Sequence, residues 1–172
     1  MPEEEKILID PDDLGYESQE HKESLRVLVF SLAKEHYGMD VASAKEVFSL
    51  GSVTRVPNAP SFIKGVTNLH GQIIPLVDIS FFLGIINIDM GAALKVIVME
   101  HQSSLIGILV DKIEEATQIL KEAIQPPLAT LKGRLLDFTI GQTEFRNGIL
   151  VYLDLKKILN CDEMKKLKSG GA

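Results

Sequence analysis

Between Val53 and Asp78 the chain reads VTRVPNAPSFIKGVTNLHGQIIPLVD, and this punctuation restricts the segment to short β structure joined by tight turns. Pro57 and Pro60 flank Asn58 and Ala59, while Gly65 and Gly71 break up runs of β-branched and aliphatic residues. Proline presets φ for a turn and glycine supplies conformations closed to other residues, so this spacing marks turns between strands. The segment carries no catalytic group in a workable arrangement. It reads as a binding surface.

At 172 residues the chain suits one domain, or one domain built of two small lobes, and is long enough to bury a core. Its charge is unevenly placed. Residues 1–23 carry nine acids against Lys6 and Lys22, whereas residues 24–162 hold 13 basic and 14 acidic residues. The body is therefore almost neutral, without a basic patch able to bind phosphate backbones by counterion release, and nucleic acid is not an expected partner. Cys161 is the single cysteine, which leaves no internal disulfide and suits a reducing cytoplasm. The acidic N-terminus is unlike a signal peptide, and apolar runs such as Ile79 to Ile86 fall far short of the ~20 residues that span a bilayer. A soluble protein without direct membrane insertion is expected.

The predicted organisation is an acidic flexible tail over 1–23, a folded unit over 24–162 and a C-terminal tail over 163–172. Arg26 to Leu32 is apolar at successive positions, which predicts a strand packed on both faces. A turn at Lys34 to His36 and a second strand at Tyr37 to Val41 would complete a hairpin. Asp40 is placed to cap a short helix carrying Ala44, Val47 and Phe48 at i, i+3, i+4, with Lys45 and Glu46 on its other side. Further strands are predicted at Val53–Val56, Val66–Leu69, Gln72–Val77, Leu94–Glu100, Leu105–Val110 and Gly148–Leu153.

Two segments repeat a pattern. Gly71 to Asp78 and Gly148 to Asp154 each run glycine, buried strand and aspartate, followed by apolar helical turns at Ile79–Leu83 and Leu155–Leu159. This suggests two similar small barrels sharing a seam.

Chemistry is sparse. His21, His36, His70 and His101 form no metal-ligand spacing with one another or with Cys161, and no nucleophile elbow, Walker loop or dinucleotide fingerprint occurs. Neither a metal nor a cofactor is expected. Asp78, Asp111 and Asp154 follow apolar strands, where catalytic carboxylates can sit, but strand ends and helix caps use aspartate routinely and that reading is preferred. Glu114–Glu115 is most simply a solvated edge. Cys161 reads as a small, partly buried side chain.

The residues in this order resemble the CheW family, the coupling proteins of bacterial chemotaxis. Leu28-Val-Phe-Ser-Leu32, Tyr37-Gly-Met-Asp-Val41 and Glu46-Val47 resemble its opening elements. The resemblance continues through Val53 to Leu69, Asn68-Leu-His-Gly71, Pro75-Leu-Val-Asp78, Gly107 to Asp111 and Gly148 to Leu159, across Ser24 to Asn160. It implies a mainly β fold of two SH3-like five-stranded β-barrel subdomains with short helices. It implies a non-catalytic adaptor that binds the cytoplasmic tip of methyl-accepting chemotaxis receptors and the regulatory domain of the CheA histidine kinase. Such an adaptor is cytoplasmic and associated with membrane receptor arrays. Because the sequence stops ten residues after Asp162, a stand-alone adaptor is expected rather than a CheV-like protein with a receiver domain.

Carried over residue by residue, the resemblance places the receptor site at Val41, Ala44, Glu46, Gly65, His70 and Ile73; it selects no kinase contacts. His70 departs from the arginine usual in the family, expected to pair with Glu46, and histidine lacks arginine's permanent charge and fork. Ser80-Phe81-Phe82 departs as well, where basic residues are common, and would add apolar surface. These departures keep open a divergent scaffold for a non-chemotaxis CheA-like pathway. A small β-barrel enzyme or ligand-binding protein using Asp78, Asp111 or His101 is the rival from another class.

Overall fold

The computed structural model describes residues 22–85 and 88–169; the expected acidic tail, apart from Lys22 and Glu23, lies outside them. The chain opens with strands β1 (Ser24–Leu32) and β2 (Glu35–Asp40), joined at Ala33 and Lys34, whose φ values of 50° and 68° describe a two-residue turn of the twist that hairpins favour. β1 is apolar on both faces, as its sequence predicts. Val27 and Val29 face one buried cluster, while Leu28 and Phe30 face the other.

Beyond β2 the predicted helix does not form. The Asp40 carboxylate accepts from the Ala42 amide at 3.0 Å and caps a single 3-10 turn, Val41–Ser43, after which Ala44–Ser49 runs extended as β3. Ala44, Glu46 and Phe48 then alternate with the exposed Lys45, Val47 and Ser49. That period of two competes with the helical spacing of Ala44, Val47 and Phe48, and pairing with a neighbouring strand decides between them. The predicted strand at Val53–Val56 shrinks to one bridge, Thr54 with Val66.

The remaining strands and α-helices among the described residues are β4 (Ile63–Leu69), β5 (Gln72–Val77), α1 (Ser80–Leu83), β6 (Lys95–His101), β7 (Ser104–Val110), β8 (Lys112–Leu120), α2 (Gly133–Phe138), β9 (Thr139–Phe145), β10 (Gly148–Leu153), α3 (Leu155–Leu159) and α4 (Asp162–Ser169). They form two five-stranded sheets, of order β8-β1-β2-β10-β9 in the first lobe and β3-β6-β7-β5-β4 in the second. Each lobe thus borrows a hairpin from the other half of the chain: β1-β2 joins β8 to β10, and β6-β7 joins β3 to β5. The predicted repeat is borne out, and it extends to atomic detail.

A Cβ on Gly38 would lie 2.6 Å from Val27 and 3.0 Å from Leu150, and one on Gly107 would lie 2.7 Å from Val96 and 3.0 Å from Leu76. Gly65 and Gly141 sit against the carbonyls of Thr54 and Gln125 in the same way, and those residues bridge to Val66 and Gln142. The bulges recur too, since Lys45 in β3 and Glu114 in β8 are both skipped by their partner strands.

One apolar core crosses the seam, joining Phe30, Leu32 and Met39 of the first lobe to Ile74, Val96 and Ile108 of the second and to Phe82 and Ile158 of the short helices. α1 ends at Gly84, whose φ of 67° gives the left-handed cap. Phe81 and Phe82 do not simply add exposed surface. Phe82 is fully buried with its ring centroid 4.8 Å from that of Phe62, and the Arg134 guanidinium of α2 lies over the Phe81 and Phe82 rings at 5.7 and 5.5 Å. α4 occupies Asp162–Ser169 where a C-terminal tail is expected, and Met164 is buried in the core.

Two phenols add a pH dependence. Burial pushes Tyr37 and Tyr152 above the usual tyrosine range, helped by Glu35 at the first and by Asp40 and Asp154 at the second. The unfolded chain therefore ionises first, at about pH 10, and rising pH favours it. The contribution is intact below about pH 10 and is lost as pH rises through the folded values. Urea unfolding from about pH 8 to about pH 11 should show falling stability at the alkaline end, less steep in Tyr152→Phe.

Candidate docking site

Val41 lies in the 3-10 turn that carries the chain from the first lobe into the second, and Ala44 opens β3 just beyond it; both are half-buried and pack against the core. Two residues further, Glu46 pairs with Val98 of β6 and keeps its carboxylate accessible.

His70 comes from the opposite edge of the sheet. It occupies the two-residue turn between β4 and β5, with φ of 50° followed by 86° at Gly71, and the Asn68 side-chain oxygen accepts from the Gly71 amide at 2.9 Å. A left-handed residue before glycine is what this hairpin turn demands, and histidine is among the residues that tolerate it. The turn brings His70 Nε2 to 2.9 and 3.2 Å from the two Glu46 carboxylate oxygens. β3 and β4 are the outer strands of the second sheet, so this pair ties its two edges together at the surface. The pairing expected between positions 46 and 70 is present, carried by imidazole in place of guanidinium.

Ile73, on β5 opposite Asn68, stands exposed beside the same turn. Gly65 is buried in β4 with φ of 147°. The close approach it permits is internal, because its missing Cβ leaves room for Thr54 and Val53 of this same chain. Of the six expected site residues, the fold therefore joins Glu46 to His70 with Ile73 alongside, sets Val41 and Ala44 at the lobe crossing, and uses Gly65 to seat the segment that bridges the sheet edges.

Sequence reasoning missed what borders this surface. A trough between the lobes is lined by Asp40, Ser43, Tyr152, Asp154 and Lys156, and it continues past Ser43 and Lys156 to Lys45 and Glu100. Each half draws on strands distant in sequence, and only the expected repeat hinted that those strands would meet.

The carboxylates considered for catalysis are engaged in backbone structure. Asp154 caps α3 by accepting from the Lys157 amide at 3.0 Å, Asp111 accepts from the Ala33 amide at 2.8 Å, and buried Asp78 accepts from the Ser80 amide at 3.0 Å. Burial raises the Cys161 thiol above its usual range, away from the reactive thiolate. Among the described residues no group of three or more His, Cys, Asp or Glu is placed to hold a metal, and no helix is long and apolar enough to cross a membrane.

The duplicated hairpin tests whether arginine can stand at position 70. Arg146 occupies the corresponding turn position between β9 and β10 with φ of 44°, so the backbone accommodates arginine there. His70→Arg should change unfolding free energy by less than about 0.5 kcal/mol, as read from urea denaturation. A large loss would show that His70 is held by packing.

Comparison with known proteins agrees with this architecture. The CheW-like domain profile matches residues 26–163, across both lobes. The chain is 31% identical over 137 residues to the chemotaxis protein CheW of Klebsiella aerogenes, covering 80% of this chain and 82% of that one. It is 26% identical over 149 residues to CheW of Treponema pallidum, covering 84% and 88%. The crystal structure of the scaffolding protein TtCheW from Thermoanaerobacter tengcongensis superposes with a TM-score of 0.69 at 29% identity, over 83% of this chain and 92% of that one. With the profile spanning both five-stranded lobes and the seam between them, this chain belongs to the CheW-like domain family.

Proposed function

We propose that this protein is a non-catalytic adaptor of chemotaxis signalling, coupling methyl-accepting receptors to the regulatory domain of the CheA histidine kinase in the cytoplasm beneath receptor arrays. The observation that carries the reading is the family match over residues 26–163, which takes in both lobes and every element that forms the candidate site. The receptor surface is Glu46, His70 and Ile73, backed by Val41, Ala44 and Gly65. A receptor tip is a helical hairpin, and an exposed aliphatic residue beside a charged pair suits a helix laid across the second lobe, in the manner of helix-in-groove recognition.

No enzymatic role is assigned: Asp78, Asp111 and Asp154 each accept from a backbone amide, as strand-end and capping aspartates do. The test is direct binding of the purified chain to a receptor cytoplasmic fragment and to a CheA regulatory domain, followed by calorimetry. Binding to both is expected, and a folded sample that binds neither would overturn the adaptor reading. In the same assay His70→Arg should bind the receptor fragment at least as tightly as the natural chain, because guanidinium offers Glu46 a permanent, two-pronged partner.

A further inference from the structure

We infer that residues 1–21 dock back on the face formed by the four described α-helices, with the apolar run Ile7-Leu8-Ile9 laid against Phe81 and Leu136 and its flanking acids turned to the lysines of α3 and α4. The inference is independent of the receptor reading. α1 packs against α2, α2 against α3 and α3 against α4. Arg134 ties three of them together, lying over the Phe81 and Phe82 rings of α1 while pairing with Glu163 of α4 at 2.6 Å. Phe81 and Leu136 nevertheless stay 36% and 40% exposed, an apolar pair on neighbouring helices that the described residues leave uncovered.

Charge selects the occupant. The four helices carry six lysines and arginines against three acids, whereas the other described residues carry 11 bases against 13 acids. Lys156, Lys157 and Lys165 are exposed on that face. Residues 1–21 hold eight acids against Lys6, and the acids bracket the apolar run: Glu3, Glu4 and Glu5 precede it, and Asp10, Asp12 and Asp13 follow it. Apolar residues between two acidic flanks match an apolar pair beside lysines.

The path of the chain permits the contact. Val27 of β1 stands opposite Asp40 of β2, and β2 runs parallel to β10 with Gly38 opposite Tyr152, so β1 begins at the end of the sheet where α3 starts from its Asp154 cap. Lys22 and Glu23 are held at that end by Glu122 and Lys121. Two strand spacings, about 10 Å, separate β1 from β10, and two helix spacings of about 10 Å each lead from α3 through α2 to α1. Ile9 precedes Lys22 by 13 residues, which span up to about 40 Å. A tether of this kind supplies about millimolar effective concentration, so a weak contact suffices. Because α1 follows β5 at the end opposite the His70 turn, the docked segment leaves the receptor surface open.

The experiment treats the dilute full chain with a carbodiimide, which joins a carboxylate to an amine in direct contact without a spacer, and maps the joined residues by mass spectrometry. Links from Glu3–Glu5 and Asp10–Asp13 to Lys156, Lys157 and Lys165 are expected. An equal mixture of isotopically heavy and light chains should show these links within single molecules. Leu136→Glu, which removes an apolar contact and adds a like charge, should cut their yield by about fivefold or more. Ile7→Ser with Ile9→Ser should do the same, and that variant decides the matter if Leu136→Glu fails to fold. Lys34 in the β1-β2 turn and Lys112, opposite Ser31, lie at the far end of β1 and serve as references. Equal yields at Lys34 and Lys112, or no link to α3 or α4 in the folded natural chain, would overturn the docking. Links found solely between heavy and light chains would overturn it too, and would make the occupant a second copy.

Discussion

Gly65→Ala is expected to cost about 2–6 kcal/mol of folding stability, the sum of two penalties of about 1–3 kcal/mol each. The first is conformational: the backbone at position 65 has φ of 147°, a region that L side chains rarely enter. The second is steric, since the new methyl would lie 2.6 Å from the Thr54 carbonyl oxygen and 2.6 Å from Val53 Cγ1. Thr54 has no easy retreat. Its amide donates to the Val66 carbonyl at 2.9 Å and its carbonyl accepts from the Val66 amide at 2.8 Å, a two-bond bridge that fixes it against β4. Gly38→Ala, by contrast, meets the ends of the Val27 and Leu150 side chains at ordinary negative φ, so repacking should hold its cost to about 1–3 kcal/mol. Urea unfolding of both variants gives the comparison. A Gly65→Ala protein within about 0.5 kcal/mol of the natural chain would show that the Thr54 bridge is soft.

This bridge also shows where the sequence was legible. Gly71 and Asp78 announce a turn and a strand-to-helix junction through local backbone chemistry, and both are found where local rules put them, whereas Pro75 lies in β5, an interior strand that proline's missing N–H would argue against. The match between Gly71–Asp78 and Gly148–Asp154 was visible for the same reason. The turn-forming histidine at position 70 was legible as well, because glycine follows it.

Decisions made by distant partners were not legible. Ala44, Val47 and Phe48 satisfy helical spacing, yet β6 pulls the segment into the sheet. β8 and β9 were missed because Lys112–Leu120 and Thr139–Phe145 are largely polar sequences on the outer edges of their sheet, where hydrogen bonding to one neighbour replaces the apolar alternation that marks a buried strand. Met164 could not reveal that the end of the chain docks, since its burial depends on a core assembled from both lobes. The role of Gly65 was open to the same error. A glycine in a binding motif invites a partner's approach, and here the neighbour it admits is this chain's own Thr54.

Ile73→Glu separates docking from folding, and it should lower affinity for a receptor cytoplasmic fragment by at least about thirtyfold. Truncating a hot-spot contact at a protein interface costs about 2 kcal/mol or more, which corresponds to a factor of about 30, and placing a carboxylate against an apolar partner adds a desolvation cost. The same exposure that makes Ile73 available makes it dispensable to the fold: among the described residues it is the most exposed of the large apolar side chains, so unfolding free energy should shift by less than about 0.5 kcal/mol. Its neighbour sharpens the expectation, because Glu46 is already drawn against His70 and a second carboxylate beside the pair would compete for the same imidazole. Leu136→Glu, an equally drastic change at another exposed position, in α2, should leave receptor binding unaltered. If Ile73→Glu binds as the natural chain does while remaining folded, the receptor does not lie across the β4-β5 turn, and the burden of recognition moves to the trough that Ser43 and Lys156 line between the lobes.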